Sequence, residues 1–117
     1  MNIRTKITLV AALAALVGCT TVVHEPTHMV YREVPAPVVE TVPVLPAGSH
    51  WVPGHWVWER GNWRWIAGHA VQVVVPPMPR VIVEEVPPPP SPAHYYVRGH
   101  WRWGGTAWLW VPGAWVR

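Results

Sequence analysis

The sequence contains no phenylalanine and no aspartate, has a single cysteine, and carries charge at only 13% of its 117 positions. Each shortage excludes something. One cysteine cannot close a disulfide within the chain, so no covalent framework supports the fold. The acids are Glu25, Glu33, Glu40, Glu59, Glu84 and Glu85. Only Glu59 lies in the tryptophan-rich part, so a carboxylate pair for glycoside hydrolysis would have to recruit Glu84 or Glu85 from a proline-rich stretch. Ser49 and Ser91 sit beside Gly and Pro, and neither lies on a nucleophile elbow. No enzyme is expected, and no cofactor. The net charge is +3, but Arg4 and Lys6 fall in the first six residues and the rest carries +1. That balance gives no warrant for a nucleic-acid partner. Long apolar runs are missing too. The longest, 7–17, is broken by Thr8 and as a helix would reach roughly 16 Å, about half of a bilayer's hydrocarbon core.

What the chain has instead is ten Trp and fifteen Pro. A charged start, the short apolar run and then Leu16-Val17-Gly18-Cys19 read as a secretory signal rather than a spanning helix. The last four residues resemble the lipobox of bacterial lipoproteins. That resemblance implies cleavage after Gly18, a diacylglyceryl thioether on Cys19 and acylation of the new amine. Three acyl chains exceed the two-signal threshold for stable anchoring. Thr20, in the place where Asp would imply inner-membrane retention, favours the periplasmic leaflet of the outer membrane. Removing residues 1–18 leaves 117 − 18 = 99 residues, room for one small domain and its linkers.

Residues 19–48 include Pro26, Pro35, Pro37, Pro43 and Pro46 among Val, Thr and Glu. Proline lacks a donor and biases its predecessor to extended angles, so this stretch reads as a stalk. Valine pairs within it, such as Val38-Val39, are candidates for short edge strands. Residues 76–93 form a second Pro-rich linker, with a possible strand at 81–86 on β-branched content. Val71 to Val75 reads as strand by the same signal.

A 45-residue shift lays Trp51-Val52-Pro53-Gly54-His55-Trp56-Val57-Trp58 over Tyr96-Val97-Arg98-Gly99-His100-Trp101-Arg102-Trp103, and Trp63-Arg64-Trp65-Ile66-Ala67-Gly68 over Trp108-Leu109-Trp110-Val111-Pro112-Gly113. Each unit also repeats internally: Trp51-x-x-Gly54-x-Trp56 returns as Trp65-x-x-Gly68-x-Ala70, and Tyr96-x-x-Gly99-x-Trp101 as Trp110-x-x-Gly113-x-Trp115. These motifs resemble those of the WXXGXW (or YXWGXW) repeat proteins, small bacterial envelope proteins related to BcpO. The resemblance covers residues 51–70 and 96–115, departs at Ala70, and implies an envelope location without implying an activity.

Period two places Trp56 with Trp58, and Trp63 with Trp65, on one strand face. A four-residue loop, Glu59-Arg60-Gly61-Asn62, then pairs Trp58 with Trp63, Trp56 with Trp65 and Trp51 with Ala70; every pair of numbers adds to 121. In the second unit Trp103 with Trp108, Trp101 with Trp110, and Tyr96 with Trp115 add to 211. Pro53 and Gly54 predict a break in the first arm. The expected fold is all-β: a small antiparallel sheet from two homologous hairpins, 49–75 and 94–117, sharing their aromatic faces because one hairpin alone buries too little.

The aromatics Trp51, Trp56, Trp58, Trp63, Trp65, Tyr96, Trp101, Trp103, Trp108, Trp110 and Trp115 admit two readings. They are core filler in a scaffold that meets an envelope protein, or they form an exposed platform that stacks on glycan or peptidoglycan. His55 and His100 are equivalent and face away from the ladder. No metal site is expected, since no set of three or four ligands converges in the pattern. They read as surface or inter-hairpin hydrogen-bonding residues. The expected role is a non-catalytic, lipid-anchored envelope module.

Overall fold

The computed structural model describes residues 15, 17–21 and 28–117. Most of the signal segment expected at 1–18 lies outside the described residues. Among those described there is no helix, and nine short strands run in order: β1 (Tyr31–Arg32), β2 (His50–Val52), β3 (His55–Glu59), β4 (Asn62–Ile66), β5 (His69–Val71), β6 (Tyr95–Val97), β7 (His100–Trp103), β8 (Trp108–Val111) and β9 (Ala114–Val116). The fold is all-β, as the sequence implied.

Both hairpins take the mirrored register. In the first, β2 pairs β5 with Trp51 opposite Ala70, and β3 pairs β4 with Trp56 opposite Trp65 and Trp58 opposite Trp63. In the second, β6 pairs β9 with Tyr96 opposite Trp115, and β7 pairs β8 with Trp101 opposite Trp110 and Trp103 opposite Trp108. The break expected at Pro53-Gly54 is present. It has a counterpart across the hairpin at Ala67-Gly68, and the second unit breaks the same way at Arg98-Gly99 and Pro112-Gly113. Each hairpin is thus two short ladders in series.

Five expectations need correction. The first turn is not a four-residue loop. Glu59 pairs with Asn62, leaving Arg60 (φ 51°) and Gly61 (φ 81°) as a two-residue turn; positive φ at both positions is what a type I′ turn requires. The segment 81–86 is extended but has no ladder partner, and β5 ends at Val71 rather than running to Val75. Before Gly48 the strand that forms is β1, which adds in parallel to β6, and Val38-Val39 joins no ladder. Finally, the two hairpins do not lay one Trp ladder on the other; the ring contacts between them are Trp58 with Tyr95, His55 with Trp108 and Trp63 with His100. The hairpins meet edge to edge along β3 and β7, where the outward N–H of Trp58 and of Trp103 each donates to a histidine of the other hairpin.

The core follows from that join. Val52, Val57, Tyr96, Val97 and Trp108 are buried, together with the two polar residues His55 and His100. Val52, His55 and Val57 occupy the strand face opposite the aromatic ladder. Packing of β3 along β7 buries His55 and Val57 and supplies apolar area that a lone two-stranded ribbon lacks.

Candidate functional site

Cross-strand ring pairs are the repeating unit of both hairpins. Trp56–Trp65, Trp58–Trp63, Trp101–Trp110, Trp103–Trp108 and Tyr96–Trp115 all sit with centroids 5.2–5.3 Å apart and planes 65–78° to each other. This is edge-to-face packing, which the ring quadrupole favours over flat stacking. A flat platform for a sugar needs parallel, open faces. Here the rings interlock, and of the ten Trp, Trp108 is buried and the other nine are half-buried.

Half of the ten indole N–H groups are spent on the chain itself. Trp56 donates to the Ala36 carbonyl (2.9 Å) and Trp65 to a Glu40 carboxylate oxygen (2.6 Å). Trp101 donates to the Arg80 carbonyl (3.0 Å), Trp108 to Pro76 (2.9 Å) and Trp115 to Pro87 (3.0 Å). All five acceptors lie in the Pro-rich stretches read from sequence as stalk and linker. Residues 36–40 cross the first aromatic row and residues 76–87 the second, so each hairpin wears an extended strap. Proline suits this task because it holds the backbone extended while leaving its carbonyl free to accept.

Each strap is pinned by one carboxylate. Glu40 also accepts from the Gly68 amide (2.9 Å), and Glu84 accepts from the Gly113 amide (2.9 Å). These bonds sit at the breaks in the arms, where the ladder leaves backbone donors without a strand partner. The same breaks explain the glycines of the motif. The Trp51 ring lies over Gly68 and the Trp65 ring over Gly54, and a Cβ at either glycine would overlap an indole. The second unit repeats the arrangement with Tyr96 over Gly113 and Trp110 over Gly99. The Trp of each half-repeat therefore covers the Gly of the other half.

His55 and His100 are each 5% exposed. His100 Nε2 accepts the Trp58 amide and His55 Nε2 accepts the Trp103 amide, both at 3.3 Å. Their Nδ1 atoms face the Arg98 carbonyl (3.1 Å) and the Pro53 carbonyl (3.0 Å). His55 packs edge-on to Trp108 and His100 edge-on to Trp63, at 5.1 and 4.9 Å. Burial pushes both imidazoles below their ordinary pKa, only partly offset by the bond to the carbonyl. Of the two roles read from sequence, inter-hairpin bonding is the one they fill. Among the described residues no group of three or more His, Cys, Asp or Glu is placed to hold a metal ion.

The two units are not perfect copies. Trp108 Nε1 has the Pro76 carbonyl, but its counterpart Trp63 Nε1 is buried without a partner among the described residues. The strap residue equivalent to Pro76 is Arg32, and its carbonyl is taken by the Arg98 amide (3.2 Å) in the join between β1 and β6. Around that join Arg98 lies 4.3 Å above the Tyr31 ring and pairs with Glu33 at 3.1 Å. Ala70 leaves Trp51 without the ring partner that Trp115 gives Tyr96. A cavity of about 140 Å³ lies between the straps, lined by the equivalent pairs Val34 and Met78, Gly54 and Gly99, and Trp56 and Trp101. It is well below the roughly 300 Å³ at which small-molecule sites begin.

Sequence reasoning missed the straps, and the signal was present. A shift of 44 rather than 45 lays Pro35-Ala36-Pro37-Val38-Val39-Glu40-Thr41-Val42-Pro43 over Pro79-Arg80-Val81-Ile82-Val83-Glu84-Glu85-Val86-Pro87. Five of the nine positions are identical, including the pinning glutamate. One residue of offset hides this from an ungapped comparison with the hairpins.

The geometry defines a duplicated all-β module, each unit a Trp-rich hairpin with its own strap. The WXXGXW repeat model matches the chain in two copies, at residues 47–69 and 92–116. The chain thus carries two WXXGXW repeats, the family its motifs resemble. Comparison with curated proteins and with solved structures finds no match.

Proposed function

We propose that the chain is a bacterial envelope lipoprotein, anchored through lipid on Cys19 in the periplasmic leaflet of the outer membrane, and that its Trp-rich module is a non-catalytic structural or protein-interaction element. The observation that carries this reading is the internal commitment of the aromatics. Five indole donors are bonded to the straps, and none of the ten Trp is fully exposed. Rings held this way fill and rigidify a small fold. Flat stacking on glycan would require their release, so the geometry lends the glycan reading less support.

The anchor reading supports a specific placement. Cys19 is exposed, and Tyr31 is already part of β1. Residues 20–30, eleven in number, therefore separate the anchor from the module, a reach of at most about 40 Å when fully extended. The start of the module at Tyr31 would lie within that distance of the membrane surface. Two measurements test the proposal. Mass spectrometry of the N-terminal peptide should find Cys19 acylated; a free thiol there removes the anchor. Titration with isolated envelope glycans should leave Trp fluorescence unchanged; saturable quenching would overturn the scaffold role in favour of glycan binding.

A further inference from the structure

We propose that His55 and His100 form a proton-sensitive lock between the two repeats, which holds only while both imidazoles are neutral and is released in mildly acidic solution. The bonds themselves dictate this. A backbone amide can only donate, so each Nε2 facing Trp103 or Trp58 must present a lone pair. A backbone carbonyl can only accept, so each Nδ1 facing Pro53 or Arg98 must carry the hydrogen. The neutral Nδ1–H tautomer alone satisfies both ends. A second proton would land on Nε2, set N–H against N–H, and break the bond that joins one hairpin to the other. The two rings do this symmetrically, so protonation removes both inter-hairpin bonds.

Beyond the carbonyl bond at Nδ1, which offsets burial only in part, the surroundings offer the cation no anionic partner. His55 faces His69 of β5 and Arg102 of β7, and His100 faces His55 and Arg102. Glu59 lines the same cleft as His55, but its carboxylate is bonded to Arg64 at 3.1 Å. The remaining neighbours are the edge-on rings of Trp108 and Trp63. Burial accordingly depresses both pKa values, and the sign follows. A histidine whose pKa is lower in the joined state binds more protons when parted. The lock is therefore at full strength above the ordinary imidazole pKa and weakens as pH falls below it.

The test uses the full-length chain in detergent micelles, followed by near-ultraviolet circular dichroism and Trp fluorescence from about pH 7.5 to 5. The expected result is a transition whose ratio of joined to parted molecules changes by up to about a hundredfold per pH unit, the signature of two protons. The double variant His55→Gln, His100→Gln keeps an acceptor and a donor on each side chain but cannot titrate, so its spectra should not change over the same range. Nitrogen-15 shifts of the imidazoles in the unsubstituted protein provide a readout that does not depend on the variant folding. They should report the Nδ1–H tautomer above the transition and titrate together with the Trp signals. Aromatic signals that stay constant while both histidines titrate, or a transition that persists unchanged in the double variant, would overturn the proposal.

Discussion

The indole of Trp51 lies across the backbone of Gly68, in the other arm of the same hairpin, while Trp65 covers Gly54. This exchange gives the motif its spacing. Trp and Gly three residues apart cannot cover one another, but two antiparallel copies can each cover the other's glycine. The Trp that follows two residues later supplies the ring for the cross-strand pair. Substituting Gly68→Ala places a methyl group where the Trp51 ring and the Glu40 carboxylate already sit. It should destabilise the module by about 1–3 kcal/mol through overpacking, read by thermal or denaturant unfolding. Gly48→Ala, where a Cβ meets nothing within 4 Å but φ is 80°, isolates the backbone component and should cost about 1 kcal/mol.

Glu40 holds its strap with two charge-assisted bonds, to Trp65 Nε1 and the Gly68 amide. Glu40→Ala should cost about 2–4 kcal/mol, since it strands two donors in a half-buried site. Glu85, adjacent to the second pinning residue but exposed, is the control. Glu85→Ala should lie within about 0.5 kcal/mol of the parent. Equal effects from the two substitutions would mean that the strap is not fixed by its carboxylate.

Ala70 is a departure from the repeat that can be reversed. Its counterpart Trp115 packs 5.2 Å from Tyr96 and donates to the Pro87 carbonyl. In the first unit Trp51 stands opposite Ala70, and Pro43 takes the place of Pro87. Ala70→Trp should therefore stabilise the first hairpin by about 0.5–1.5 kcal/mol, seen as a higher Tm and a new exciton contribution in circular dichroism.

If the lipid on Cys19 anchors the protein, Cys19→Ser should move it from the membrane fraction to the soluble periplasmic fraction with the module's fold unchanged, since Cys19 is exposed and lies outside the strands. Fractionation together with Trp fluorescence checks both halves of that statement.

The register was legible because a hairpin is a mirror. Once Trp58 faces Trp63, every other pair is fixed, and the sequence carries matching residues at each rung. The strap was not legible because proline and valine in an extended chain look the same whether the chain is free or docked. The distinguishing feature is Glu40, a charged residue whose partners, Trp65 and Gly68, lie 25 and 28 positions away. The tight turn at Arg60-Gly61 was obscured by Arg60, which adopts φ 51° without being one of the residues that favour it. The histidine lock was half visible. Alternation placed His55 and His100 on the face opposite the ladder, but that they bond across the hairpin edges depends on β3 lying beside β7, which no local pattern specifies.

The commitment of Trp56, Trp65, Trp101, Trp108 and Trp115 to the chain's own straps underlies the proposed scaffold role. Hydrogen exchange at the indole Nε1–H groups, followed by NMR on the folded full-length protein, tests it most directly. Slow exchange is expected for Trp56, Trp65, Trp101, Trp108 and Trp115, whose donors are bonded to strap oxygens, and faster exchange at Trp65 in Glu40→Ala. Exchange of all five at the rate of free indole would contradict it, because it would leave the aromatic rows uncovered and open to an external ligand.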